Sequence, residues 1–441
     1  NQWMNLQSNI GFAQSILDLS EFVLEQYIQK GWEVPPPDCN EQIDDINSPN
    51  HCINFGGNSL YDIYIANDAA GMVVPETPYP VEPYTGGYTS YMKISTFLNA
   101  YDALPYWAEH VIAHELHHAI QIRYGTSVSG EPGNYAYNGW LYEQTSTYME
   151  NVIFPASYHF LVMMGNCNIT SPLTYPEISI DSSVDIYQYR SALWQKFLVE
   201  AYGDSTINRL IWEGFGLETA TGNPVNMFPI YESALQTVTN GVTTLGDAYE
   251  DYALWRYFTG SRSRPGEFFM QAASYCTANL LAIEETSTTF PSEKGGARLV
   301  KLLPYETNLV LASSAYDNLL VQHISFSEED EILMNSIEVN GEESFFQLNN
   351  PAGDNHALLI TSEYTAEPSE EIEFTLSNTV PFIEGDITGD SMVNIQDIIV
   401  QINIILHQID PTDYQWLAAD LDENNVVDVL DVILLVNLIL G

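Results

Sequence analysis

The chain has 441 residues, 45% hydrophobic and 12% aromatic, which excludes a wholly disordered or collagen-like polymer and leaves room for about three domains. Only 12 Lys and Arg stand against 59 Asp and Glu, a net charge of −47, although charged residues make up just 16% of the chain. A surface so stripped of cations argues against nucleic-acid and anionic-membrane partners, and it suits an extracellular medium rich in salt or multivalent cations.

Residues 11–30 carry apolar positions at helical spacing and end at Gly31, where the Pro-rich PPPDCN breaks the helix. Cys39 and Cys52 flank a short loop and are expected as a local staple; with Cys167 and Cys276, three pairings are open. LYDIYIAN at 60–67 and SYMKISTFL at 90–98 have the content of strands. Helices are expected at about 105–124, 139–153, 186–202 and 248–259, so the chain through residue 290 reads as a mixed α+β domain. From 297 onward, ARLVKLLPY, NLVLASS, LLVQHISF, EILMNSIEV, SFFQL, HALLIT and EIEFTLS predict a β-sandwich, with Asn340-Gly341 as a hairpin turn. After Pro381 comes a duplicated unit, GDITGDSMVNIQDIIVQINIIL and ADLDENNVVDVLDVILLVNLIL, repeating every 34 residues. No run reaches the ~18 apolar residues of a membrane span. The start, NQWMNLQ, is that expected of a mature secreted chain.

HVIAHELHHAIQIRY at 110–124 holds His114, Glu115 and His118 as an HExxH motif. Positions i and i+4 of a helix share a face, so the two imidazoles can meet one Zn²⁺, with Glu115 beside it to take a proton from water. His110 and His117 share the helix and read as neighbours only. A catalytic zinc needs a third protein ligand and an open position. Glu143, in GWLYEQTSTYMEN and 25 residues beyond His118, is the expected carboxylate.

These segments, with YDIYI, YRSALWQKFLVEAYG, IWE and DYALWRYF, resemble the gluzincin zinc metallopeptidases. More narrowly, they resemble secreted bacterial proteins in which an HExxH helix precedes a W-x-x-E helix and often a C-terminal dockerin. The resemblance spans about 60–258. It implies His114, His118 and Glu143 as zinc ligands and Glu115 as general base. In better-known gluzincins an Asp four residues after the ligand Glu orients a metal-bound His. Here that position is Thr147, and Thr147, Glu150 or a backbone carbonyl is left to substitute. Tyr135, Tyr137, Tyr148, His159 and Arg190 are candidates to steady an oxyanion.

The C-terminal repeat places oxygen donors at positions 1, 3, 5, 7, 9 and 12 of an EF-hand-like calcium loop. In the first copy these are Asp386, Thr388, Asp390, Met392 (by its carbonyl), Asn394 and Asp397. In the second they are Asp420, Asp422, Asn424, Val426 (carbonyl), Asp428 and Asp431. A loop and apolar helix repeated at fixed spacing resembles a dockerin. Thr388 at position 3, and Ser391 and Asn425 where glycine is usual, depart from that pattern and predict a weaker first loop. Dockerins bind cohesins, and loop positions 10 and 11, often small hydroxyl residues, help choose the partner. Here they are Ile395-Gln396 and Val429-Leu430, so a cohesin-like scaffold and self-assembly both stay open.

The sequence thus predicts a multidomain chain: an α+β zincin-like metallopeptidase domain (1–290), an all-β sandwich (291–381) and a small α-helical dockerin-like module (382–441) with two Ca²⁺ sites. The expected function is that of a secreted or cell-surface zinc endopeptidase acting on protein or peptide, without nucleic-acid partner or membrane span. The alternatives are a non-catalytic structural or adhesive protein on the same scaffold, which the missing Asp favours, and a zinc hydrolase of non-peptide substrates. Glu115 favours the enzyme, because a structural zinc needs no base.

Overall fold

The computed structural model describes residues 2–37, 39, 52, 57–66, 70–100, 107–125, 138–155, 158–219, 225–283, 287–293, 295–303, 308–326, 332–348, 355–362, 371–378, 383–389, 392–411, 413–422, 424 and 426–440. Tyr135, Tyr137, Asp390, Ser391 and Asn425 lie outside the described residues. The chain divides into two compact units, one of Asn1–Tyr175, Ile180–Ala248 and Trp255–Ala278, the other of Pro176–Ser179, Tyr249–Leu254 and Asn279–Gly441.

In the first unit, α1 (Gln2–Gln29) begins earlier than its apolar spacing predicts and stops at Gly31, whose φ of 84° suits glycine. Tyr27 is fully buried and donates its hydroxyl to the Ala113 carbonyl at 2.7 Å, tying α1 to the HExxH helix. Cys39 is bonded to Cys52, and Cys167 to Cys276. Strands β1 (Ile63–Ala66), β2 (Gly71–Pro78) and β3 (Tyr88–Ser95) form a sheet in the order β1-β3-β2, β1 parallel and β2 antiparallel to β3. Sequence patterning gives no strand at β2 because Pro75 and Pro78 count against one. An edge strand has a side free of ladder bonds, where a missing N–H costs nothing.

Helices α2 (Trp107–Tyr124) and α3 (Gly139–Ile153) follow, both buried on nearly all sides. Then come α4 (Tyr158–Gly165), α5 (Tyr187–Arg190), α6 (Ala192–Tyr202), α7 (Ile207–Glu218), α8 (Phe228–Thr239) and α9 (Leu245–Tyr257). The single helix expected over 186–202 is broken at Ser191 into α5 and α6. Most polar groups on so buried a helix as α3 find partners. Gln144 donates to the Ile180 carbonyl (3.1 Å) and the Ser191 hydroxyl (2.9 Å), and Trp212 of α7 donates to Thr145 (3.2 Å). Together they fix the rotation of α3, and so where its Glu143 stripe faces.

In the second unit, β4 (Leu281–Ala282), β6 (Ala297–Leu302), β8 (Leu319–Phe326), β9 (Leu333–Ile337) and β11 (Asn355–Ser362) make a sheet in the order β4-β6-β11-β8-β9. A second sheet takes β5 (Ser287–Glu293), β7 (Asn308–Ala312), β10 (Glu343–Gln347) and β12 (Glu371–Asn378) in the order β10-β7-β12-β5. Val300, Val321, Leu358 and Ile360 of one and Leu309, Leu311, Phe374 and Leu376 of the other share a core, the packing of a sandwich. All seven expected strands are present. Two differences are instructive. The expected boundary at 291 falls inside β5, which pairs with β12, so the sheets begin at Leu281. Asn340-Gly341 is a turn but not a hairpin: β9 pairs with β8 and β10 with β7, so the chain there passes from one sheet to the other.

His323 and His356 are buried on the core-facing sides of β8 and β11, with His323 Nε2 3.1 Å from His356 Nδ1. His356 Nε2 lies 2.7 Å from the Leu303 carbonyl, so it carries the proton, Nδ1 accepts, and both rings are neutral. Burial lowers the His323 pKa to about 4 and also lowers that of His356, against an ordinary value of 6.5. Groups kept neutral by folding contribute stability that is complete above the unfolded pKa and lost as pH falls toward the folded one. Acidifying from 6.5 to about 4 is expected to cost the sandwich of order 1–3 kcal/mol, seen as earlier loss of amide protection in β8 and β11. A protection profile that stayed flat across that window would contradict it.

The C-terminal segment builds α10 (Ile395–Ile405), α11 (Asp413–Ala419) and α12 (Val429–Leu440) around a separate small core of Ile387, Ile404, Ala418, Ala419 and Leu435. Asn394 caps α10 through a reciprocal box with Asp397. Among the described residues no helix is long and apolar enough to cross a membrane.

Candidate functional site

Two facing stripes on α2 and α3 make the site. On α2, His110, His114 and His118 are successive turns of one face; on α3, Glu143, Ser146, Thr147 and Glu150 do the same. His114 Nε2 lies 3.0 Å and His118 Nε2 3.3 Å from Glu143 Oε2. The donor atoms of this trio are all within 4.8 Å of one another. Their other contacts aim them. His114 Nδ1 is 2.8 Å from Glu150 Oε1, and His118 Nδ1 is 2.7 Å from the Gln121 side-chain oxygen and 3.1 Å from Ser146. Each Nδ1–H therefore has an acceptor, which leaves both Nε2 atoms facing Glu143, where an N–H can donate to the carboxylate or a lone pair can meet a metal.

Of the substitutes open for the missing Asp, it is Glu150 that holds His114, seven residues after Glu143 rather than four. Thr147 is buried on the same stripe, and its hydroxyl has no hydrogen-bond partner among the described residues. Burial alone would raise the Glu143 and Glu150 carboxyls, but His118 and His114 outweigh it at Glu143, and His114 and His159 bring Glu150 down to about 2. Burial works against the His114 imidazolium, yet the two carboxylates hold its pKa well above the usual value. Two imidazoles and a carboxylate gathered on one point would replace that shared proton with a divalent ion, and zinc or a similar first-row metal fits the set.

Glu115, on the next position of α2, is only 8% exposed, and burial raises its carboxyl pKa, a shift toward the range of a general base. A Cβ on Gly71 would come within 2.6 Å of the Glu115 Cγ, so β2 passes Glu115 at a distance only glycine permits. Both border a cavity of about 560 Å³. Its wall is apolar (Trp107, Val162, Met163, Ile169, Ile186), and its polar lining includes His110, His114, Glu150, His159 and Tyr189.

Tyr189 is the residue that sequence reasoning missed. Its ring stacks on His114 at 5.9 Å, and burial, with Glu143 adding, raises its hydroxyl pKa, so it stays a proton donor. It is carried in by α5 just after Asp185 and Ile186, both left-handed (φ 48° and 57°); for a β-branched Ile that conformation is strained. No local motif announces such a residue. Of the expected oxyanion donors, Arg190 is engaged by the Thr170 and Asp185 carbonyls, and Tyr148 is buried with Glu200 as its charged neighbour. His117 is a core residue, edge-on to Trp32 at 4.7 Å. His110 is more than a neighbour: it meets Glu150 and His159.

In the C-terminal module Asp386, Asp397 and Asp431 are fully buried and Asp420 nearly so. Asp397 accepts from the Thr388 and Asn394 amides (2.8 and 2.7 Å), and Asp431 from those of Leu421 and Asp428 (2.9 and 2.8 Å), which shapes both loops alike. Asp420, Asp422 and Asp431 offer oxygens within 4.8 Å of one another. The first loop shows Asp386 beside Thr388 at 3.3 Å. Met392, Asn394, Asn424, Val426 and Asp428 lie along the two loops, where the Met392 carbonyl meets Asn394 Nδ2 (3.4 Å) and the Asn424 side chain accepts from the Val426 amide (2.7 Å).

The chain thus combines helical and β-sheet regions with a helical module of paired acidic loops. Residues 384–440 match the dockerin type I domain family, and this module is a dockerin. Dockerin type I domains bind calcium, imply a cohesin partner and are typical of extracellular proteins. Residues 97–232, which include every residue from His110 to Tyr189 described above, match a family of unknown function, DUF6055. No curated protein matches the chain.

Proposed function

We propose that the protein is a secreted zinc-dependent endopeptidase, carried to its place of work by its dockerin. The observation that supports this most is the convergence of His114, His118 and Glu143 on one point, with the buried Glu115 next to His114 on the same helix. Bound zinc would supply a water of lowered pKa and polarise a carbonyl. Glu115 takes the proton of the attacking water and passes it to the departing amine. The Tyr189 hydroxyl donates to the carbonyl oxygen as it gains charge. The apolar wall of Trp107, Met163 and Ile186 receives a large apolar substrate side chain. On the dockerin, Ile395, Val429 and Leu430 are 67%, 63% and 57% exposed, which fits a cohesin face more apolar than a hydroxyl-reading one.

His118→Ala should lose the tightly held zinc, because two donors remain where three converge. Metal analysis of the folded variant checks this, and undiminished zinc would overturn the ligand assignment.

A further inference from the structure

The geometry points to a second metal site, beside the first and sharing none of its donors: His110, Glu150 and His159 would take a zinc or similar first-row ion. It draws one residue from each of α2, α3 and α4. One ligand atom of each lies within 4.8 Å of the others. His159 Nδ1 is 2.6 Å and His110 Nδ1 3.8 Å from the same Glu150 Oε2, and the two rings are 5.1 Å apart. Ligands at roughly 2.0–2.1 Å from a tetrahedral zinc stand about 3.4 Å from one another, so small side-chain adjustments suffice.

The division of labour at Glu150 carries the argument. To orient His114, Glu150 needs only Oε1. Its other oxygen, deep in the protein, is approached by two further imidazoles, more than a positioning carboxylate requires. Two nitrogens and an oxygen are the donor types that first-row ions take from imidazole and carboxylate. An entry route exists, because all three residues line the cavity and His159 is partly exposed. Trp107 packs edge-on to His159 at 5.8 Å and holds the ring in place. The carboxylate charge is shared with His114, so this site should fill after the first. The inference stands on its own donors and does not need the zinc reading of His114, His118 and Glu143 to hold.

The test is metal stoichiometry in the full chain, stripped with chelator, refilled with zinc under excess calcium to keep the dockerin loops filled, and desalted. Two zinc ions per chain are expected in the wild type, one in His159→Ala, one in His118→Ala and none in the double variant. His159→Phe keeps the ring against Trp107, and it gives the same readout should the alanine variant unfold. One ion in the wild type at saturation that both His159 variants retain, or two in both His159 variants, would overturn the second site; one ion that His159→Phe loses and His118→Ala keeps would uphold it. A fall from two to one in His159→Phe with no fall in His118→Ala would uphold it and refute the first assignment instead.

Discussion

Glu115→Gln is expected to keep its zinc and to lose at least ~100-fold in peptide hydrolysis, the usual contribution of a positioned base. Glutamine matches the shape of the side chain, so its close approach to Gly71 survives, but an amide cannot accept the proton. His114, His118 and Glu143 keep their mutual distances and their partners, because none of those partners is Glu115. The measurement is paired: zinc content and turnover on a broad protein substrate, wild type against variant. Equal turnover would show that another group takes the proton; lost zinc would show that Glu115 supports the ligands rather than the reaction. A wild type that holds zinc and cleaves nothing would return the protein to the structural alternative.

Calcium removal should unfold the dockerin and leave the helical unit standing. The segment 384–440 contains no Lys or Arg, yet it buries Asp386, Asp397 and Asp431 completely. Buried carboxylates need an opposite charge; the module's one basic side chain, His407, is exposed, so a bound cation is the expected source. Among the described residues the apolar core has five buried members, two of them alanine, too small to hold the helices alone. Binding and folding are therefore one event, and each site filled to about 100 times its Kd adds roughly 2.7 kcal/mol. The second loop, where three carboxylates already converge, should fill at lower calcium than the first, where Thr388 stands in for one. Hydrogen exchange reports this directly: α10 and α12 should lose protection in chelator while α2 and α3 keep theirs. Unchanged protection in α10 and α12 would reduce the module to an acidic helical hairpin.

Legibility followed the range over which each residue acts. His114 and His118 are four apart on one helix, and each acidic loop spans twelve residues, so spacing alone was enough to single them out as candidates. Glu143 was within reach because it opens the next helix. Glu150 was visible only as one of three substitutes, because choosing among them needs the rotation of α3, set by Gln144 and Thr145 through contacts with distant segments. Tyr189 was invisible, since its approach depends on the course of the chain from α4 to α5. The strand β2 was hidden by its own prolines. In the sandwich every later strand showed in its apolar run, but Asn340-Gly341 specified only a reversal; which sheet received β10 was decided by its pairing with β7, some thirty residues away.

The Cys167–Cys276 bridge closes a loop of 109 residues, a restriction of the unfolded chain worth about 5 kcal/mol by loop entropy. Helices α5 to α9, and Tyr189 with them, lie within that loop. An endopeptidase of the proposed kind would meet copies of itself at every collision, and surface segments inside the loop would be open to such cuts. One cut there yields no separate fragments: both pieces remain a single molecule of unchanged mass, apart from one added water. Such damage would accumulate silently, visible on a gel only after a reductant opens the bridge.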